Sequence, residues 1–296
     1  MTGARPRLGF VGIGLMGEAM TRRLLERGWA VTVWNQEPER LDTVIPYGAV
    51  AAASPAAVAD SSDIVLMCVL HTEAVRRCVF EPDGIAAARN KPRIVIDLST
   101  ADPEATREMA LRLRTETGAG WVDAPVSGGP GAARQGKMTI MAGGEPEDIE
   151  AIRPIMDDLA ANFTPMGPVG AGQTTKIINQ AIVGTGYVLM AEAVVLAEAA
   201  GIAAERLPEC LAGGAADSVL LQTIYRQMKA RDFATPKGYA RQLLKDLKAV
   251  VDFERTAGLS LPIVETACDR YAAYVGKGNE MEDSASIVRL YEGKGS

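Results

Sequence analysis

The sequence predicts an α/β domain built on a doubly wound, mainly parallel sheet, followed by an all-α domain joined to it through one long helix. Two observations carry that expectation. Short apolar runs alternate with helical patterns through the first half of the chain, and past about residue 166 the strand pattern stops. Expected strands are 7–11, 30–34, 63–67, 94–97, 121–124, 138–142 and 163–165. Helical patterns between them include 16–26, 38–44, 103–118 and 146–159, the last two opened by Asp102 and by Glu145-Pro146, which suit a first turn. The long helix covers 173–200, free of proline and rich in Ala, Ile, Val, Leu and Met. Its apolar residues surround almost the whole wheel, which predicts burial on most sides. Further helices are expected at 204–212, 218–229, 240–257 and 262–275, with a frayed tail over 292–296. The domains are therefore placed at 1–166 and 167–296.

Composition narrows the function. A chain of 296 residues that is 48% hydrophobic can bury a full core in two domains. Acidic residues outnumber basic ones, 37 to 31, and no basic stripe appears, so a nucleic-acid partner is not expected. Cys68, Cys78, Cys210 and Cys268 are scattered without a C-x-x-C pair, which suggests neither a zinc site nor a disulfide framework. The amino terminus lacks the apolar core of a signal peptide, and no apolar run is expected to span a membrane, since Lys176, Asn179, Gln180, Glu192 and Glu198 interrupt the long helix. A cytoplasmic protein is expected. The single histidine, His71, follows an apolar strand and is expected on a loop, so an acid or base is sought among Lys, Asp, Glu and Tyr.

Residues 9–17 read G-F-V-G-I-G-L-M-G. Gly12, Gly14 and Gly17 form G-x-G-x-x-G between a strand and a helix, the context in which free backbone N–H groups receive a pyrophosphate. Gly12 permits the tight turn, Gly14 admits the ligand and Gly17 lets the helix pack on the strand. Three more clusters follow, at strand ends or a helix start: Asp97-Leu98-Ser99-Thr100, Asp123-Ala124-Pro125-Val126-Ser127-Gly128-Gly129, and the stretch from Gly167 through Gly170, Gly172, Lys176 and Asn179 to Gln180. In an open sheet, ligands gather outside the carboxyl ends of the strands.

Together these motifs closely resemble the β-hydroxyacid dehydrogenase family, which includes 3-hydroxyisobutyrate dehydrogenase and tartronate semialdehyde reductase. The resemblance runs from Arg7 to about Leu290 and takes in Lys245-Asp246-Leu247 and Asp283-Ser284. It implies a Rossmann-type domain, a helical substrate and oligomerisation domain, and homodimers or homotetramers formed through the helical part. It also implies hydride transfer between NAD or NADP and a short 3-hydroxy acid or its semialdehyde or keto acid.

The Ser127-Gly128-Gly129 turn offers a hydroxyl and exposed N–H groups to an anion, and the resemblance assigns it to the substrate carboxylate. It makes Lys176 the catalytic acid and base. At a helix start in apolar surroundings, an ammonium pKa is lowered, which suits proton transfer. Asn179 and Gln180 share that helix face; Asn179 matches the family's asparagine and Gln180 ranks below it. Thr100, Lys245 and Asp246 complete the substrate set. The cofactor set is Gly12, Gly14, Leu15, Met16, Gly17, Asn35, Gln36, Arg40, Val69, Leu70, Thr100 and Lys245.

At the end of the second strand, NAD enzymes usually carry an acid for the ribose hydroxyls. Here Asn35 stands there, followed by Gln36, Glu37 and Arg40. Loss of the acid and the presence of Arg40 favour NADP over NAD, while Glu37 opposes a phosphate. Two other readings compete. Imine reductases share the glycine fingerprint and the Val33-Trp34-Asn35 strand end, but generally replace the lysine. A non-catalytic dinucleotide-binding module would not need Ser127, Lys176 and Asn179. 6-Phosphogluconate dehydrogenase is near in chemistry but longer, with His and Asn after its lysine.

Overall fold

The computed structural model describes residues 5–292. The chain forms two compact units, Met1–Lys176 and Ile177–Ser296. That division falls inside the long helix, because the first turns of that helix are bonded to the first unit.

The first unit carries nine strands in one sheet: β1 (Leu8–Val11), β2 (Val31–Trp34), β3 (Val50–Ala51), β4 (Ile64–Met67), β5 (Ile94–Asp97), β6 (Gly120–Asp123), β7 (Val126–Ser127), β8 (Met138–Gly143) and β9 (Ala160–Gly167). Their order is β3-β2-β1-β4-β5-β6-β8-β7, with β9 also paired to β8. The first six strands of that order run parallel, and β8 is antiparallel to β6 and β7. Strand order reverses on either side of β1, so a crevice for a ligand opens at the carboxyl ends there.

The central strands β1, β4, β5 and β6 are buried along their whole length. Such strands need cover on both faces, and their alternating side chains divide between two cores. Phe10, Leu66 and Ile96 pack with Met20, Leu24 and Ile152 on one face. Val11, Val65 and Val95 pack with Val75, Val79, Met109 and Leu113 on the other. The covering helices are α1 (Leu15–Glu26), α2 (Pro55–Asp60), α3 (Thr72–Phe80), α4 (Pro103–Thr117), α5 (Gly129–Gln135) and α6 (Pro146–Leu159). As expected, Asp102 caps α4, its carboxylate accepting from Ala105 N at 2.8 Å. The helix expected at 38–44 is instead a 3₁₀ turn, Pro38–Thr43, followed by another at Ile45–Tyr47. Pro46 supplies no N–H to continue an α-helix there. The short elements β3, β7, α2, α3 and α5 did not emerge from the sequence pattern.

The long helix α7 spans Ala171–Ala199. After it come α8 (Leu207–Leu211), α9 (Arg226–Ala230, preceded by a π-helical turn Leu221–Tyr225), α10 (Ala240–Thr256) and α11 (Pro262–Tyr274). The core of this second unit joins Val188, Ala191 and Val194 of α7 to Tyr225, Leu247, Val250 and Tyr271. Asp283 is buried and accepts from Lys237 N and Ala285 N, both at 2.7 Å, so it pins the loop before α10 to the last 3₁₀ turn. The tail expected to fray lies outside the described residues beyond Glu292.

Two expectations about α7 need correction. It is not covered on most sides within the chain: Ile178, Ile182, Leu189 and Leu196 are each more than half exposed. Nor is it too polar to count as membrane-spanning by composition, since it holds an 18-residue window of mean hydropathy 1.6, of which 33% is buried. Its polar residues cluster near the two ends and leave the middle apolar.

Candidate active site

The glycine turn has the geometry its spacing implied. Gly12 adopts φ +96°, and a Cβ there would lie 2.3 Å from Cys68 O. A Cβ on Gly17 would lie 1.9 Å from Gly12 O, so only glycine allows α1 to pack this close to β1. A Cβ on Gly14 would meet nothing within 4 Å, and α1 starts there without a side-chain cap. An open approach to uncapped helix N–H groups suits an anionic group such as a dinucleotide pyrophosphate. Leu15 is exposed and Met16 half-buried beside this opening.

Asn35, at the end of β2, is bonded at both ends of its amide. Its Oδ1 accepts from Ile13 N at 2.7 Å, and its Nδ2 donates to Glu37 O and Glu37 Oε2 at 3.0 and 2.9 Å. It therefore braces the glycine turn. Arg40 donates from Nε to Ile13 O at 3.2 Å, and Glu18 takes ion pairs from Arg22, Arg40 and Arg134. Gln36 is exposed. Two carboxylates, Glu18 and Glu37, stand here against the three guanidinium groups of Arg22, Arg40 and Arg134.

Beyond β4, Val69 N donates to Ser99 Oγ at 2.9 Å, which ties the Val69-Leu70 loop to the loop bearing Thr100. Leu70 is exposed and Thr100 half-buried. His71 caps α3, its Nδ1 accepting from Ala74 N at 3.1 Å. That bond accounts for the residue without chemistry.

Lys176 stands in the second turn of α7, 7% exposed, and its Nζ donates to Val126 O at 2.9 Å. Val126 immediately precedes Ser127, so the ammonium and the Ser127-Gly128-Gly129 turn are brought together. Gly128 and Gly129 adopt φ +123° and +72°, conformations that L side chains resist, and a Cβ on Gly129 would meet nothing within 4 Å. Asp123 holds the other side of this arrangement. Its carboxylate accepts from Gly170 N at 2.7 Å and Gln173 N at 2.8 Å, and so anchors the start of α7. The sequence pattern gave Asp123 no such role. A buried acid ending a strand, followed by a glycine-rich helix start, was the available signal.

In the second unit, Asn179 Nδ2 donates to Gln180 Oε1 at 2.8 Å, and Gln180 Nε2 donates to Asp246 Oδ2 at 2.6 Å. Lys245 Nζ lies 3.2 Å from Asp246 Oδ1. Gln180, ranked below Asn179 from sequence, is the more buried of the two and links it to Asp246. Among the described residues, no group of three His, Cys, Asp or Glu side chains is placed to hold a metal ion.

Two carboxyl groups at neighbouring strand ends are strongly perturbed. Burial pushes Asp97 up to about 7, against the bonds from Ser99 and with help from the Asp123 charge. Burial likewise pushes Asp123 up to about 6, opposed by the backbone N–H groups of Gly170 and Gln173. Among the described residues, Asp97 Oδ2 has no hydrogen-bond partner. A carboxyl whose folded pKa is raised binds its proton more tightly when folded, so its contribution to stability is full below about pH 4 and is lost as pH rises through about 7. Asp97→Asn, which mimics the protonated form, should therefore gain on the native protein by about 3 kcal/mol as pH rises from about 5 to 8. Melting curves of both proteins across that range check it; a difference that stays flat with pH refutes the assignment.

Comparison with known proteins agrees with this geometry. Residues 7–167 match the family profile for the NAD binding domain of 6-phosphogluconate dehydrogenase. Residues 170–291 match the profile described as the NAD-binding domain of NADP-dependent 3-hydroxyisobutyrate dehydrogenase. The chain is 32% identical over 286 residues to 2-hydroxy-3-oxopropionate reductase of Escherichia coli, covering 97% of each chain. It is 35% identical over 246 residues to the Arabidopsis thaliana mitochondrial protein named 3-hydroxyisobutyrate dehydrogenase-like 2, covering 82% of this chain and 81% of the other. The solved Mycobacterium tuberculosis 3-hydroxyisobutyrate dehydrogenase with L-serine is similar at TM-score 0.87 and 26% identity, covering 98% of this chain and 100% of that one. The chain belongs to the β-hydroxyacid dehydrogenase family of NAD(P)-dependent oxidoreductases, which interconvert hydroxy acids and their carbonyl counterparts.

Proposed function

We propose that the protein reduces a short semialdehyde or keto acid to the 3-hydroxy acid, reversibly, with NADP(H) preferred and Lys176 as the proton-transfer residue. One observation carries this reading: a nearly buried ammonium held at Val126 O, next in the chain to a hydroxyl and two glycines fit to receive a carboxylate. The candidate substrates are C3 and C4 acids of the kind named for the relatives, such as 2-hydroxy-3-oxopropionate or L-serine. Residues around 218–225 and 236–241 are assigned to the choice among them.

Gly12, Gly14, Leu15, Met16 and Gly17 would hold the pyrophosphate end of the cofactor, and Asn35, Gln36 and Arg40 its ribose end. Val69, Leu70, Thr100 and Lys245 are assigned to the remainder. When bound, the nicotinamide supplies or accepts the hydride at the carbon bearing the oxygen. Ser127, Gly128 and Gly129 bind the substrate carboxylate, with Thr100, Asn179 and Asp246 assigned to the same acid. In reduction, Lys176 gives its Nζ proton to the carbonyl oxygen, which leaves a neutral amine and an alcohol. In oxidation, the amine takes that proton back. The backbone acceptor at Val126 keeps Nζ in place through either direction.

The exposed apolar face of α7, with Ile178, Ile182, Leu189 and Leu196, supports assembly into a homodimer or homotetramer through the helical unit. Sedimentation velocity should give a species larger than one 31.3 kDa chain, and a monomer across micromolar concentrations would remove the idea. An imine substrate is disfavoured by Lys176 itself, and a purely binding role by the intact Ser127, Lys176 and Asn179.

Lys176→Ala should leave cofactor affinity within a few-fold while kcat falls by about 10²–10⁴, the usual worth of general acid catalysis. An unchanged kcat would refute the assignment. Ser127→Ala should act mainly on KM for the acid. The cofactor choice rests on Asn35 and Arg40 against Glu37, whose carboxylate is held on the Asn35 amide. A panel of semialdehydes assayed with both reduced cofactors should show higher kcat/KM with NADPH, and Glu37→Gln should widen the gap. A tenfold preference for NADH overturns the choice.

A further inference from the structure

Gln173 is fully buried and uses each polar end of its side chain on one loop. Its Oε1 accepts from Ala101 N at 3.0 Å, and its Nε2 donates to Ser99 O at 2.8 Å. The residue between those two is Thr100. Meanwhile Gln173 N donates to Asp123 Oδ2 at 2.8 Å, and Lys176 lies three positions further along the same helix. We propose that Gln173 is a positioning residue, a clip that locks the Ser99–Ala101 loop to the start of α7, so that Thr100 and Lys176 are held in one fixed relation for hydride and proton transfer.

Several features make the clip specific. A primary amide is the one common side-chain group that offers a donor and an acceptor side by side without charge. Here the donor meets a backbone carbonyl and the acceptor meets a backbone N–H, two residues apart on one strand exit. The loop also carries its constraint outward: Ser99 N donates to Asp97 Oδ1, and Ser99 Oγ receives Val69 N. Val69, Thr100 and Lys176 are thus tied through one buried amide. A displacement of about 1 Å at such a site can cost about 10²-fold in rate, with no change in the groups that touch the substrate.

The inference rests on the reading of Lys176 as the proton-transfer residue, and its test separates the two. Gln173→Glu keeps the shape of the side chain. Its ionised form cannot donate to Ser99 O, whereas its neutral form can. Relative to the native protein at each pH, kcat of Gln173→Glu should therefore fall about tenfold or more as the new carboxyl ionises with rising pH, with KM for the acid within about threefold. Gln173→Ala should lose a similar factor at every pH. A purely structural role would shift melting temperature and leave the kcat ratio level across pH.

Hydrogen exchange on the protein without substrate gives a readout independent of turnover. The Ala101 amide should be protected in the native protein and exchange at least about tenfold faster in either variant, while the central strands stay protected. The proposal is overturned if the native Ala101 amide exchanges freely, a measurement that needs no variant to fold. It is overturned equally if folded Gln173→Ala keeps kcat within twofold, or if the Gln173→Glu ratio is flat with pH. By contrast, Lys176→Ala retaining its kcat in the same assays would refute the lysine reading and leave the exchange result standing.

Discussion

The first unit depends on one buried carboxylate meeting the start of one helix. Asp123 ends β6 with no exposure and accepts from Gly170 N and Gln173 N. Those groups belong to the turn that opens α7, where unsatisfied N–H donors and the helix dipole both favour negative charge. Desolvation of the carboxylate opposes this, which is why its pKa stands above the ordinary range even with several donors around it. The approach is so close that a Cβ on Gly172 would lie 2.5 Å from both Asp123 O and Met141 O. Sheet and helix are fixed to each other at the point from which Lys176 projects.

That constraint explains why the chemistry is divided as it is. The glycine turn after β1 leaves its helix N-terminus uncapped and open, ready for an anion from outside. The N-terminus of α7 is instead satisfied from within by Asp123. Of these two helix starts, one is left open to a ligand and the other is used to hold a side chain. A lysine mounted on the second is positioned by bonds from Gln173 N and Gly170 N, one to two turns earlier in the chain, and its Nζ is steadied by the Val126 carbonyl.

Legibility varied with the range of the interactions involved. The four-residue strands β1, β4 and β5 were readable because burial on both faces demands uninterrupted apolar runs. The two-residue strands β3 and β7 were not, since pairing with β2 and β8 creates them rather than any local propensity. The glycine fingerprint was legible residue by residue, because each glycine answers a steric demand within a few positions. Gln180 was ranked below Asn179, and Gln173 was given no role. Their amides bond to Asp246 and to the Ser99–Ala101 loop, dozens of residues away, and spacing along the chain holds no record of that. The exposure of α7 was misjudged for the same reason: an apolar wheel states that cover is needed, not that this chain provides it.

By itself, then, the sequence determined the class of fold and the glycine turn between β1 and α1, consequences of periodicity and of local sterics, while the family resemblance pointed to Lys176 and to the Ser127-Gly128-Gly129 turn. Tertiary structure alone decided which buried polar groups hold those parts in place. Asp123 on the helix start, Gln173 across the Thr100 loop and Gln180 on Asp246 satisfy donors and acceptors that only folding brings within bonding distance. Burial then makes each of those partnerships costly to break.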